Sequence, residues 1–273
     1  MKRTRLAFSI LLLAVFANFG LLDSAAAQQA KRKKAASEIR VLSAVGMREI
    51  IKEIGPEFEK ASGYKLNVSF DSGAIIEKRI TGGEVADVIL VPRAIIDRLT
   101  TSNKLISDST ADIAISIVGV AVRKGSPKPD ISSSEAFKRA MLNAKSIVCP
   151  DPALGGSSGT HIAKVLQQLG IADIIKPKLI LVSTPDQIAT MPGYVVAAGK
   201  AEIALHQMQE LMSVPGIEIV GPLPDALQGR FLFSAGVMIA AGNRKASRSF
   251  VEFLRTPEAK ARIKAKGMDP TFR

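Results

Sequence analysis

From Glu38 onward the sequence alternates short apolar runs with segments of helical spacing, and this alternation restricts the fold more than any other feature. "EIRVLSAV" (Glu38 to Val45) reads as a buried strand. The next segment sets Ile50, Ile51, Ile54 and Phe58 on one helical face, with Pro56 expected to kink it. "YKLNVSF" is a second strand, "SGAIIEKRITGG" a short helix ended by Gly82, "ADVILV" a third strand and "PRAIIDRLTTSNKL" another helix. Strand–helix–strand repetition predicts parallel strands joined by right-handed crossovers. A long β-rich run, Asp112 to Pro127, then leads into a second series: a helix near Ser134 to Asn143, "KSIVC", a helix from Ser158 to Leu169, "KLILVS", a helix after Asp186, and "AEIALHQ". "GIEIVGPLP" and "GRFLFSAGVMIAA" are strand-like, and the C-terminal helical stretch is broken at Pro257. Two such series joined by long strands predict an α/β protein of two hinged lobes. Each lobe would be a mostly parallel sheet flanked by helices, with a cleft between them. Residues 38–120 with 236–273 are assigned to the first lobe and 121–235 to the second.

The first 27 residues have a different character. Lys2, Arg3 and Arg5 precede an apolar run from Leu6 to Leu22, and Ala25 to Ala27 supply small residues suited to cleavage. This is the layout of a secretory signal peptide, with cleavage expected about after Ala27 and export to the periplasm. Residues 28–37 form a basic flexible tail containing "KRKK". No later run is apolar enough to hold the cleaved chain in a membrane. The net charge of +12 is not accompanied by tryptophan, and there are only two tyrosines, which argues against nucleic acid as a partner. The one cysteine, Cys149, excludes an internal disulfide and reads as a buried strand residue. Two histidines without clustered ligands give no reason to expect a metal, and no cofactor is expected. The chain is expected to be a monomer.

Candidate chemistry sits where strands end. Gly46, the Asp71-Ser72-Gly73 turn, Gly155 to Gly159 and Pro185 to Gln187 each stand between a strand and the start of a helix. Helix starts offer backbone N–H groups without intrahelical acceptors and a positive dipole end. Small residues let a ligand oxygen approach them, and serine hydroxyls add donors. Any one such loop is more simply an ordinary cap, but the repetition points to a cleft that holds an anion without metal.

These segments resemble the periplasmic molybdate-binding proteins of ABC importers, which are type II solute-binding proteins. The resemblance spans about Glu38 to Pro270 and is carried by "VLSAVGMREIIKEIGPEFEKASGYKLNVSFDSGAIIEKRITGGEVADVILVP", "DPALGGSSGTHIAKVLQQLGI", "VAAGKAEIALHQ" and "FVEFLRTPEAKARIKAKGMDP". It implies a small anionic ligand and an inner-membrane ABC permease as partner. It also implies ligand contacts at Gly46, Ser72, Ser158, Gln187 or Ile188, and His206, which together with Gly73, Ser157 and Gly159 from the helix starts make up the expected binding set. Gly46 stands where those proteins carry a serine ligand and His206 where they carry a tyrosine, and Asp71 would repel an oxyanion if it faced the cleft. The same broad family contains exported aconitate isomerases, which need an anion clamp and a base that moves an allylic proton. For that alternative the candidate base is His206. His161 is the other histidine, and Arg48 and Arg93 are the candidate carboxylate partners. A binding protein without a transporter is the third reading.

Overall fold

The computed structural model describes residues 38–182 and 191–270. The signal-peptide and tail assignments, and the helix expected after Asp186, fall outside those residues. Chain order begins with β1 (Glu38–Ala44), helix α1 (Arg48–Ser62), β2 (Lys65–Asp71), α2 (Gly73–Thr81), β3 (Val88–Pro92) and α3 (Arg93–Thr101). It continues through β4 (Ala111–Arg123), α4 (Ser134–Asn143), β5 (Ile147–Pro150), α5 (Ser157–Gln168), α6 (Ala172–Ile175) and β6 (Leu179–Val182). After Met191 come α7 (Pro192–Ala197), β7 (Ile203–Gln207), α8 (Met208–Met212), β8 (Ile217–Pro222), β9 (Arg230–Val237), α9 (Arg244–Phe253) and α10 (Pro257–Ala265).

The local reasons are legible in the residues. In α1 the apolar stripe Ile50, Ile51, Ile54 and Phe58 is buried, Pro56 sits inside the helix, and Gly63 ends it in the left-handed conformation at φ 75°. Ser72, Ser133, Asn243 and Thr256 each accept a backbone N–H from the residue three positions on, capping α2, α4, α9 and α10. Pro257, at the first turn of α10, is where a helix tolerates proline, so the C-terminal stretch divides there.

Strand order is β2-β1-β3-β9-β4-β7-β5-β6, with β8 also on β4. β1 pairs parallel with β3, and β5 parallel with both β6 and β7. The linking strands add antiparallel pairs, β9 with β3 and β4, and β4 with β7 and β8, so both sheets are mixed. β4 changes partners midway: Ala111 to Ile117 pair with β9, and Val118 onward with β7. β9 pairs with β3 along Val88 to Pro92, which places Phe233 to Val237 in the first sheet. At the exchange point the Gln228 carboxamide accepts from the Val118 N–H at 2.9 Å and donates to its carbonyl at 3.0 Å, serving as a one-residue strand partner.

The apolar residues divide accordingly. One core gathers Ile39 to Ala114 with Phe233 to Met268, so the first and last described segments share it. Phe58 meets Phe250 and Phe253 there, with ring centroids at 5.0 and 5.4 Å. Two smaller cores, around Phe137, Ile162 and Leu205 and around Val148, Val196 and Ala204, fill the second lobe. Cys149 lies in the former, and desolvation by burial pushes its thiol up to about 12.

Candidate functional site

Four strand ends meet at one cleft between the lobes. β1 delivers Gly46, β2 delivers Ser72 and Gly73, β5 delivers Pro150 and Asp151, and β7 delivers His206 and Gln207. The cavity has a volume of about 80 Å³ and is closed on its apolar side by Pro92, Val182, Met191 and Phe233. By the volume one water requires, that is room for several non-hydrogen atoms.

The glycine-rich stretch has a divided job. Gly155 holds φ 66°, the left-handed turn that ends a short 3₁₀ segment, Pro152–Leu154, whose start Asp151 caps. Gly156 then opens α5 and offers no side-chain cap, so the first N–H groups of the helix stay free of one. Ser157 and Ser158 line the cavity. Gly159 does not; a Cβ there would stand 2.8 Å from the Pro150 carbonyl oxygen, so glycine is needed for the helix to pack on the strand end. Gly73 is similarly constrained, with Ile95 Cδ1 2.8 Å from where a Cβ would be.

Of the sequence-derived set, Gly46, Ser72, Gly73, Ser157, Ser158 and His206 border the cavity. Gln187 and Ile188 lie outside the described residues. The Ser72 hydroxyl accepts from the Ile75 N–H at 3.3 Å, which leaves its own proton for a ligand. Asp71 is not among the lining residues. Its carboxylate takes the Ser72 N–H at 2.8 Å and lies 3.6 Å from Arg79, so the expected repulsion is turned away from the cleft. Arg93 is bound to Asp97 and Asp112, each at 2.7 Å, outside the cavity lining. Arg48 stacks on Phe70 at 5.2 Å and borders a smaller neighbouring cavity that shares Glu210. His161 meets the Leu227 carbonyl oxygen at 2.8 Å and the edge of Phe231, a packing position.

Two residues that the sequence did not single out define the floor of the site. Glu210 lies with its Oε2 2.7 Å from His206 Nδ1, and both side chains are buried. The distance is that of an ion pair, but neither Glu210 oxygen has a well-aligned hydrogen bond among the described residues. The Gln207 N–H also points at Nδ1, at 2.7 Å. A ring nitrogen offers either a proton or a lone pair. Nδ1 thus faces both Glu210 and the Gln207 N–H, and Nε2 is the ring nitrogen that neither of them engages. His206 lies in strand β7 and Glu210 in helix α8, so the turn between them makes the contact. The four-residue spacing in "HQMQE" was the only sequence signal.

Gln207 is the second. A Cβ on Gly46 would stand 2.8 Å from Gln207 Oε1, 3.1 Å from its Nε2 and 2.9 Å from Phe233 Cζ. The carboxamide thus fills the space a serine at position 46 would require.

Two lobes, mixed sheets with flanking helices, and a cleft at converging strand ends define a type II solute-binding architecture. The chain belongs to the family described as bacterial extracellular solute-binding protein, whose model matches residues 39–269. It is 34% identical over 240 residues to an aconitate isomerase of a Pseudomonas species, covering 85% of this chain and 87% of that protein. It is 28% identical over 273 residues to the molybdate-binding protein ModA of Azotobacter vinelandii, covering 96% and 98%. Among solved structures, the periplasmic molybdate-binding protein of Azotobacter vinelandii superposes with a TM-score of 0.70 at 17% identity, covering 85% of this chain and 99% of that one.

Proposed function

We propose that the chain is an exported isomerase built on a solute-binding scaffold, moving an allylic proton of an unsaturated tricarboxylate of the aconitate type. The observation that carries this reading is the buried His206–Glu210 pair on the wall of the cleft. A passive cage for an oxyanion has no use for a group that exchanges a proton. Allylic isomerisation requires such a group. The 34% identity to an aconitate isomerase supports the same choice.

The step balances without a cofactor. His206 Nε2 removes a proton from the methylene carbon, and the electron pair delocalises through the allyl system onto a carboxylate. A proton is then returned to the former vinyl carbon, so the double bond moves by one position and no atom is gained or lost. Glu210 orients the imidazole and compensates its charge while the proton is held. The uncapped N–H groups of α5 and the hydroxyls of Ser72, Ser157 and Ser158 hold carboxylate oxygens, helped by the positive net charge of the chain.

The test is interconversion of cis- and trans-aconitate, followed by proton NMR in deuterium oxide. Turnover with deuterium entering the allylic carbon is expected, and its absence from well-folded protein overturns the reading. The receptor reading, capture of a small oxyanion for an ABC permease, is favoured by the family match over residues 39–269. It requires a rise in melting temperature with micromolar molybdate or tungstate and no turnover.

A further inference from the structure

We infer that Gln207 is the specificity-determining donor of the cleft, a fixed carboxamide that takes a carboxylate oxygen of the ligand in place of a serine on the first loop. Three observations converge on it. The carboxamide occupies the space beside Gly46, as the contacts of a Cβ there demonstrate. It is 5% exposed and lines the cavity. No acceptor among the described residues takes a hydrogen bond from its Nε2, whereas its Oε1 is engaged.

That engagement sets its orientation. Gln209 Nε2 donates to Gln207 Oε1 at 2.9 Å and to the Gly46 carbonyl oxygen at 2.8 Å. Gln209 Oε1 accepts from the Ser116 hydroxyl at 2.7 Å. Gln209 and Ser116 are both fully buried. All hydrogen-bonding directions of the Gln209 carboxamide but one acceptor site are thereby used, and the amide cannot flip without losing two donated bonds. With Oε1 held in this way, Nε2 is the free end of the Gln207 carboxamide. The network also spans the lobes. Gly46 belongs to the first core's strand β1 turn, Gln207 and Gln209 to the second lobe, and Ser116 to β4 where it passes between them. The donor is therefore placed by contacts from both lobes, with Gln209 as its positioning residue.

A neutral amide N–H donor fixed in one direction suits a planar carboxylate. A serine hydroxyl, which rotates, suits a compact tetrahedral oxyanion. The inference deepens the isomerase proposal and rests on it for the ligand class. It is tested with tricarballylate, which has the three carboxylates but no double bond. Calorimetric titration of the wild type, Gln207→Met and Gln207→Glu is expected to give binding weakened about ten- to a hundred-fold by Met, and more by Glu, with cooperative melting kept in both and the melting temperature lowered by Met, which leaves a Gln209 N–H unpaired. Wild-type affinity retained in Gln207→Met overturns the assignment and leaves wild-type turnover of aconitate as a separate result. Absent turnover with the Gln207 effect intact overturns the isomerase reading and keeps the assignment. Failure of the wild type to bind tricarballylate, or of both variants to melt cooperatively, overturns the assignment as well.

Discussion

The two lobes differ in what their polar residues are for. In the first, charged side chains pair at the surface around one large core: Arg79 with Glu84, Arg98 with Glu77, and Lys65 with Glu59, each at 2.7 Å. Hydrogen bonds from these partners hold the three glutamates below the ordinary carboxylate range. In the second, the core is split in two, and Glu210 is buried against a histidine. One lobe satisfies its charges, and the other keeps a carboxylate whose hydrogen bonding is incomplete. Burying such a group is unfavourable for folding, which sets the second lobe's cleft apart from the first lobe's surface.

Breaking this contrast starts with His206→Ala. Turnover of aconitate is expected to fall by about 10²–10⁴-fold, with tricarballylate still bound by the folded protein and the melting temperature lowered, because Glu210 loses its buried partner. Retained turnover would remove His206 as the base. Phe58→Ala in the first lobe should do the reverse. Loss of its contacts with Phe250 and Phe253 is expected to cost about 3–5 kcal/mol by denaturant titration, while the folded fraction keeps its activity.

Gly46→Ser sharpens the boundary between the lobes. Its side chain would meet Gln207 and Phe233, and overpacking should cost about 1–3 kcal/mol. Adding Gln207→Ala should recover part of that cost, a coupling that a double-mutant cycle measures. The smallest effect is with acid. Glu59, Glu77 and Glu84 have depressed folded-state pKa values, so their contribution is full above the ordinary carboxylate range and is lost as pH falls through the depressed values. Each exposed pair is worth at most about 1 kcal/mol. Glu77→Gln should therefore lower the melting temperature slightly at neutral pH and not at all once the carboxylate is protonated, as calorimetry across pH would record.

Much of the architecture was legible because local patterns carried it. The stripe Ile50–Ile54–Phe58, the strand runs and the break at Pro257 depend on periodicity and on proline's missing N–H, which are properties of neighbouring residues. The cleft lining at Gly46, Ser72, Ser157 and Ser158 was legible because small residues recur at strand ends. Arg93 was misplaced because a first-turn arginine carries no sign of whether its carboxylate partners lie on the surface or in a cleft; Asp112, nineteen residues on, decided it. Antiparallel pairing of β9 with β3 was invisible for the same reason, since those strands are far apart in sequence.

Two α/β lobes and a set of helix starts able to face an anion could be read from neighbouring residues, because strand and helix periods and capping act over a few positions. That the Gln207 carboxamide fills the space beside Gly46 and that Glu210 lies against His206 emerged from the folded chain alone. Those contacts depend on where a strand end, a turn and a helix from different parts of the chain come to rest, and on burial that removes water as the competing partner.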